Sequence, residues 1–333
     1  MGEILRAYAA WHKDAEVLKN CTSGGAATAL SEKTLEDGGV VVGAMYDEQM
    51  NVIHKAIEDK AGLSKIAGVK YVSGRIDRDL YLVMRHYLDQ GRKVMFVGLP
   101  CQVAAVKKMF GENSNLLLCD LVCFGAPPHS LWRKYVDWMS RRYGKKLVNV
   151  NPRDKRSGWG RKTYYRYDWA DGTSMRRLST YDPYSKAFYS AIGFKRSCFC
   201  CKFRGQSRSS DVTLCDFWGA EKIGLPDSVV KNGVSGILVH TKKGLLSVES
   251  SNLECREVEY SELISENRPI EVSPQMPQNW GQFSMDLERM DFGDLIVKYQ
   301  LQVTKLQVMG WRFKAFVSAF LKRCGYRHLK RVQ

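Results

Sequence analysis

The sequence lacks several features that would assign it to a class of protein at once. No stretch of its 333 residues is apolar for long enough to span a bilayer, and its first residues lack the charged and apolar regions of a secretory signal. It contains no internal repeat and no low-complexity segment. We therefore expect a globular protein of the cytoplasm, where the reducing environment suits its ten cysteines as free thiols or metal ligands.

Acidic residues are absent from the end of the sequence. None follows Asp294, although nine Lys and Arg residues do, and the whole chain has a net charge of +16. Apolar residues recur there at helical spacing from Leu306 to Leu321. This pattern predicts a basic amphipathic helical tail over 291–333, after a main domain over 1–290. Such a helix binds a membrane surface or an acidic partner, or covers the core with its basic face in water; the sequence allows each of these.

Four of the cysteines lie where iron could be bound. Cys101 follows the apolar run 94–97 and precedes a helix-like segment, so we expect its sulfur at a helix N-terminus, which favours the thiolate. Cys123 ends a second apolar run, and Cys198 and Cys201 form a C-x-x-C pair on a loop. Two single cysteines at strand ends and one pair together supply the four thiolates that an iron–sulfur cluster uses.

Other roles for these cysteines stay open on the sequence alone. Free cysteines are often buried as small core residues, and structural zinc also takes four thiolates, although usually from two close pairs. Cys119, on the strand before Cys123, and Cys200, inside the C-x-x-C, are possible substitute ligands. Packing is the alternative for both.

The alternation of short apolar runs with helical stretches predicts an α/β fold of mixed sheets flanked by helices, with a β-hairpin-rich second half and the C-terminal amphipathic helix. The predicted strands are 40–45, 94–97, 116–122, 161–169, 213–215 and 236–240, and the predicted helices are 26–37, 80–90 and 103–110. Asp171 and Gly172 are typical of the turn of a hairpin, which strand 161–169 would begin.

Three further segments have the chemistry of ligand contact. Residues 23–25 are small and precede a predicted helix, where open backbone N–H groups bind anions, although no G-x-G-x-x-G motif is present. Lys70 and Tyr71 lie in a turn of small residues, where they would meet a phosphate and a planar ring or simply lie on the surface. An acidic and aromatic loop, 208–219, follows the C-x-x-C pair.

Taken in order, these segments resemble the β subunits of coenzyme F420-reducing hydrogenase and formate dehydrogenase, and the wider flavin iron–sulfur family built on their C-terminal domain. The resemblance runs over about residues 7–241. It is carried by Ser23-Gly24-Gly25, Gly68-Val69-Lys70-Tyr71, Gly98-Leu99-Pro100-Cys101-Gln102, Cys123-Phe124-Gly125, Gly158-Trp159, Cys198-Phe199-Cys200-Cys201, Ser210-Asp211-Val212-Thr213, Asp216-Phe217-Trp218-Gly219 and Gly233-Val234-Ser235.

The resemblance implies a domain that binds FAD and one [4Fe–4S] cluster. By position, it implies that the cluster ligands are Cys101, Cys123, Cys198 and Cys201. The residues that it implies for the flavin site are Ser23, Gly24, Gly25, Lys70, Tyr71, Asp211 and Asp216. Members of this family pass electrons between iron–sulfur partners and a hydride carrier such as F420, or reduce a small organic substrate, and some accompany polysaccharide-synthesis enzymes.

The sequence also departs from the family pattern. Phe124 stands where relatives often have His, and Cys215 replaces a usual small residue. The tandem C-x-x-C-x-x-C ferredoxin segment of many relatives is missing. The resemblance therefore implies that electrons come from a separate ferredoxin-like protein or a partner redox subunit, and the basic surface favours an acidic ferredoxin by electrostatic steering.

Two other functions are compatible with the residues. A zinc-stabilised nucleic-acid-binding module would use the positive charge and the aromatic and basic run 164–167, whose rings could stack on bases. That run alternates as a strand does, so we expect no nucleic-acid partner. The second alternative is a non-catalytic scaffold that has kept the fold and lost a cofactor, and flavin content distinguishes it from an oxidoreductase.

Overall fold

The computed structural model describes residues 4–302, which form a large mixed sheet, a small antiparallel sheet and flanking helices. Residues 303–333, most of the tail predicted over 291–333, lie outside the described residues. The strands are β1 Arg6–His12, β2 Val40–Tyr46, β3 Val52–Ile57, β4 Val94–Gly98, β5 Leu116–Leu121, β6 Leu147–Asp154, β7 Tyr164–Trp169, β8 Ser174–Leu178, β9 Val212–Asp216, β10 Ser235–Val239 and β11 Leu253–Glu257. The helices are α1 Ala15–Asn20, α2 Ala26–Glu36, α3 Lys60–Ile66, α4 Arg78–Asp89, α5 Pro100–Phe110, α6 His129–Tyr143, α7 Pro183–Tyr189, α8 Asp227–Asn232, α9 Lys242–Glu249, α10 Tyr260–Ile264, α11 Trp280–Arg289 and α12 Phe292–Lys298.

The large sheet has eight strands in the order β11-β1-β10-β9-β5-β4-β2-β3. Strands β9, β5, β4 and β2 are parallel neighbours, whereas β10 is antiparallel to both β9 and β1. Strand β1 therefore runs in the same direction as β9, and the carboxyl ends of these five strands share one edge of the sheet, here named the carboxyl edge. Open α/β sheets bind their ligands outside this edge.

The predicted α/β class with mixed sheets is confirmed, and the strands and helices predicted over 26–240 are present. Differences occur at element ends. The strand predicted from residue 161 begins at Tyr164, as β7. The helix predicted from residue 103 begins at Pro100, as α5, because proline at the first helical position has a suitable φ and leaves no N–H unpaired. Gly172, at φ +80°, makes the predicted turn between β7 and β8.

A second core lies between the small sheet, of order β6-β7-β8, and helices α6, α7, α11 and α12. The rings of Tyr135 and Phe292 lie 5.3 Å apart in this core. The first part of the predicted tail, 292–298, therefore packs on the main domain, and the boundary at residue 290 stays a prediction. Within residues 4–302, none of the helices has the length and apolar character of a membrane span.

The aromatic run of β7 faces this second core. Tyr165 and Tyr167 are buried, and the hydroxyl of Tyr167 donates to Oδ2 of Asp182 at 2.7 Å. Buried rings cannot stack on bases. Two of the three rings of the run 164–167 are therefore unavailable to bases, which weakens the nucleic-acid alternative.

Candidate functional site

Four cysteines from separate segments meet at the carboxyl edge. Cys101 lies in the first turn of α5, directly after β4, and Cys123 follows the end of β5. Cys198 and Cys201 lie on and beside the 3-10 turn Arg196–Cys200. Burial raises the pKa of the Cys101 thiol most, and the thiols of Cys201 and Cys198 raise it further. The thiols of Cys101, Cys198 and Cys201 likewise add to the raised pKa of Cys123. The structure thus brings the four predicted ligands into one electrostatic neighbourhood.

The helix N-terminus acts on Cys101 as predicted, but it is not the dominant influence. The backbone N–H groups of Cys101 and Gln102 lower the pKa of the Cys101 thiol, whereas burial and the neighbouring thiols raise it more. Burial also raises the pKa of the Cys123 thiol to about 12, against the opposing charge of Arg204. Both thiols are therefore protonated in the protein alone, and a bound metal would displace their protons.

An apolar cluster of rings lies beside these thiols. We call it the aromatic wall; it consists of Phe124, Phe188 and Phe194, with ring centroids of Phe124 and Phe194 5.2 Å apart. Cys198 packs against the wall, and Tyr71 stacks on Phe188 with a centroid distance of 4.4 Å. A predicted cluster ligand and a predicted flavin-site residue therefore contact the same small core.

The substitute ligands that the sequence allowed are placed differently. Cys119 is fully buried in the core of the large sheet, where its thiol interacts with Asp211 and Asp120. Cys200 is exposed. Among residues 4–302, no three or more His, Cys, Asp or Glu side chains are arranged to hold a single metal ion. The four thiols are thus a loose group and not a compact single-ion site.

The turn before α2 is fixed to the carboxyl edge. Ser23 Oγ donates to the carbonyl oxygen of Val234 at 2.9 Å. A Cβ on Gly24 would lie 2.3 Å from the carbonyl oxygen of Ala10, so only glycine allows this close approach to the sheet. Gly25 caps α2 at φ +85°, in the left-handed region that favours glycine. The two glycines therefore shape the turn and hold it on the sheet.

Lys70 turns back on its own segment. Its ammonium donates to the carbonyl oxygens of Ile66, Ala67 and Gly68 at 3.0, 2.7 and 3.2 Å, at the C-terminal end of α3. Burial lowers the pKa of this ammonium to about 7. As placed, Lys70 binds carbonyl groups, and its contact with a phosphate stays a prediction.

Asp216, at the end of β9, is bound by residues of the small sheet and the loop that follows. Arg153 Nη1 donates to Asp216 Oδ2 at 2.8 Å and Nη2 donates to Oδ1 at 3.1 Å. The indole N–H of Trp159 donates to Oδ1 at 3.4 Å, and this ring stacks on Trp218 with a centroid distance of 4.9 Å. Arg153 also interacts with the Tyr71 side chain. Tyr71 and Asp216 are therefore joined through one buried guanidinium.

Lys155 connects the same region to the turn before α2. Its ammonium donates to the carbonyl oxygens of Leu18 and Ser23 at 2.5 and 2.7 Å, and burial lowers its pKa to about 8. The turn of Lys70 is also close, because a Cβ on Gly68 would lie 4.0 Å from Thr22 Oγ1. The three predicted cofactor segments at 23–25, 70–71 and 216 thus surround one part of the carboxyl edge.

Asp211 is not part of this group. Its Oδ2 accepts from the backbone N–H of Leu118 at 2.8 Å and its Oδ1 from the Thr241 hydroxyl at 2.7 Å. It lies before the first residue of β9 and Asp216 is the last, so roughly 16 Å of strand separates them at about 3.3 Å per residue. Asp211 holds the start of β9 to β5 and α9, away from the carboxyl edge.

Sequence reasoning does not single out three cations that the structure brings to the site, Arg153, Lys155 and Arg204. The available signal for the first two is the charged run 153–156, which begins at the end of β6. A chain with 51 Lys and Arg residues offers many such runs, so this signal is weak. Only the meeting of the small sheet with the carboxyl edge selects these side chains.

The fold is that of an α/β protein with four thiols at the carboxyl edge of its large sheet, and the family comparison identifies its class. Residues 7–76 match the family model for the N-terminal part of the coenzyme F420 hydrogenase/dehydrogenase beta subunit, and residues 91–263 match the model for its C-terminal part. The chain belongs to this coenzyme F420 hydrogenase/dehydrogenase beta subunit family.

The fold is also found among solved structures. A chain in the xenon-derivatised F420-reducing [NiFe] hydrogenase complex from Methanosarcina barkeri is similar with a TM-score of 0.51 and 17% sequence identity. The similarity covers 90% of this chain and 93% of that chain. No curated protein sequence matches significantly.

Proposed function

We propose that this chain is a flavin- and [4Fe–4S]-dependent oxidoreductase that passes electrons between a redox partner and a small organic substrate. The observation that carries the proposal is the meeting of four cysteine thiols at the carboxyl edge of a chain of this family. The proposed cluster ligands are Cys101, Cys123, Cys198 and Cys201.

The residues present fit a [4Fe–4S] cluster. A [4Fe–4S] cluster takes four thiolate ligands, and four thiols that act electrostatically on one another are present. Nε of Arg204 is buried with no hydrogen-bond partner among residues 4–302, and it belongs to a side chain beside three of the thiols. A buried donor without an acceptor fits an anionic group at this place.

The residues around Ser23, Tyr71 and Asp216 fit a flavin nucleotide. Lys155 supplies positive charge for its phosphates, and Arg153 holds Asp216 in place through their ion pair. The rings of Tyr71 and the stacked pair Trp159–Trp218 supply flat apolar surface. Gly24 and Gly25 would act by shaping the turn, and Lys70 by holding its own turn closed. We leave Asp211 out of this site because its carboxylate is bound at the opposite end of β9.

A bound [4Fe–4S] cluster would supply single-electron transfer and bound FAD hydride exchange. The chain's residues would hold the two sites close together, because Cys198 and Tyr71 both pack against the aromatic wall, which also excludes water. The hydride acceptor or donor would be F420 or another organic molecule, and a link to polysaccharide biosynthesis stays a prediction. The net charge of +16 favours a ferredoxin-like donor or an acidic redox subunit as the partner, in the cytoplasm, with a membrane contact of the tail as a further prediction.

Purification without oxygen, followed by assays of iron, acid-labile sulfide, zinc and flavin, tests the proposal. We expect about four iron, about four sulfide and about one flavin per chain, the composition of one cluster and one flavin. Zinc in place of iron would support the zinc-stabilised module. A folded protein with neither cofactor would support the non-catalytic scaffold.

A further inference from the structure

Arg204 follows the C-x-x-C pair and is anchored at one end of its guanidinium. Nη2 donates to the carbonyl oxygen of Phe124 at 2.9 Å, and Nη1 donates to the carbonyl oxygen of Pro269. These two bonds fix the plane of the group. Nε, on the opposite side of the guanidinium carbon, is buried and has no hydrogen-bond partner among residues 4–302.

The charge of Arg204 acts on the thiol group. Burial lowers the pKa of its guanidinium, and the thiols of Cys123, Cys201 and Cys198 oppose that effect. Arg204 in turn opposes the rise in the pKa of Cys123. The guanidinium therefore lies within electrostatic reach of three of the four proposed ligands, and it comes from the same loop as two of them.

The surroundings strengthen this charge. Phe124, whose carbonyl oxygen anchors Arg204, belongs to the aromatic wall, and Cys198 and Phe199 pack against the same wall. Apolar side chains lower the local dielectric constant, so a fixed charge there acts more strongly on its neighbours than one in water. A buried Nε–H without a hydrogen-bond acceptor also destabilises the folded protein in such surroundings.

We propose that Arg204 is a positioning residue that sets the reduction potential of the cluster held by Cys101, Cys123, Cys198 and Cys201. With the cluster bound, its Nε–H would donate to a nearby sulfur, and its fixed positive charge would stabilise the reduced form, which carries one more electron. Hydrogen bonds to sulfur and nearby positive charge both raise the potential of iron–sulfur centres. This inference rests on the proposed function.

Redox titration of the whole chain, followed by low-temperature EPR, measures the effect directly. We expect Arg204→Met to lower the equilibrium constant for one-electron reduction of the cluster at least tenfold. A tenfold change corresponds to a reduction potential about 59 mV lower. Arg204→Lys keeps the charge but not the Nε–H, so we expect a smaller shift in the same direction. Lys202→Met removes an exposed charge two residues away and should leave the potential unchanged.

The outcomes separate this inference from the function on which it rests. A wild-type protein without iron and sulfide contradicts the proposed function itself. A wild-type cluster with the same potential in Arg204→Met contradicts only the role of Arg204. If Arg204→Met does not retain its cluster, Arg204→Lys decides, and an unshifted potential there overturns the inference. Loss of the cluster from both variants would assign Arg204 a purely structural role, which also overturns it.

Discussion

Arg153 and Asp216 form a bidentate ion pair between the small sheet and the carboxyl edge of the large one, with 7% and 18% of their side chains exposed. The pair joins two separately built parts of the fold. It also lies where we place the flavin. Its two ends come from residues 63 positions apart in sequence, which no local pattern connects.

Replacing Asp216 by Asn should destabilise the protein, because it leaves the buried Arg153 guanidinium without its counter-ion. We expect the free energy of unfolding to fall by about 3 kcal/mol, measured by urea denaturation. The control is Glu257→Gln, which breaks an exposed pair with Arg6 and should leave the urea midpoint unchanged. Equal effects of the two changes would show that the buried pair has no special structural role.

The glycine at position 24 should prove structural. A Cβ there would lie 2.3 and 2.4 Å from the backbone atoms Ala10 O and Ser235 N, so Gly24→Ala must push the turn off the sheet. We expect a loss of about 2 kcal/mol in the free energy of unfolding, visible as a lower thermal midpoint. Gly281→Ala, in open space on α11, should be neutral or stabilising by about 0.5 kcal/mol. A Gly24→Ala protein as stable as the wild type contradicts the close packing.

His54 should make the fold sensitive to acid. Burial lowers the pKa of its imidazole to about 4, whereas the unfolded chain binds a proton near pH 6.5. Between these values the unfolded state holds more protons, so stability is full above about pH 6.5 and falls as the pH drops toward 4. His54→Phe keeps the stacking on Phe96 but has no imidazole to protonate. The free energy of unfolding that it loses between pH 7 and pH 5 should therefore be about 2 kcal/mol smaller than the loss in the wild type.

The exposed His86 provides the control for this pH dependence. Urea midpoints of the wild type, His54→Phe and His86→Gln, measured at pH 5 and pH 7, give the comparison. His86→Gln should retain the wild-type loss of stability at pH 5. The same loss in His54→Phe would mean that another group causes the acid sensitivity.

Lys155 should matter for flavin binding. Its ammonium donates to the carbonyl oxygen of Ser23 and so holds the turn before α2. We propose that the flavin binds beside this turn. Charge-assisted hydrogen bonds of this kind contribute about 1.5–3 kcal/mol, so Lys155→Met should weaken FAD binding at least about tenfold in a fluorescence titration. Lys60→Met, an exposed lysine paired with Glu36, should bind FAD like the wild type. Unchanged affinity in Lys155→Met would move the flavin site elsewhere.

Sequence reasoning recovers the parts of this molecule that follow from strand order. The buried parallel strands are continuous apolar runs, and the sequence places Cys101 and Cys123 at the ends of two of them. Strand order does not show which of two acidic residues, one at each end of a strand, will take part in a site at the carboxyl edge. Asp211 and Asp216 belong to one motif, yet only Asp216 reaches the carboxyl edge.

The sequence does not show which secondary-structure elements, distant along the chain, will pack against each other. The sequence allows Lys70 to meet a phosphate or to lie on the surface, and it does not show that the carbonyl groups ending α3 lie within its reach and bind it. Arg153 and Lys155 reach the site only because the small sheet docks beside β9. Periodicity and propensity describe single elements, and such docking depends on side chains distant in sequence.

The central claim is that four particular thiols hold one cluster, and a matched pair of cysteine variants tests it most directly. Cys123→Ser and Cys200→Ser are purified without oxygen, and their iron, sulfide and reduced-state EPR signal are compared with those of the wild type. We predict that Cys200→Ser, which changes an exposed thiol, keeps all three, whereas Cys123→Ser loses them. A Cys123→Ser protein with full iron and an unchanged signal, or loss of the cluster in Cys200→Ser, would contradict the account.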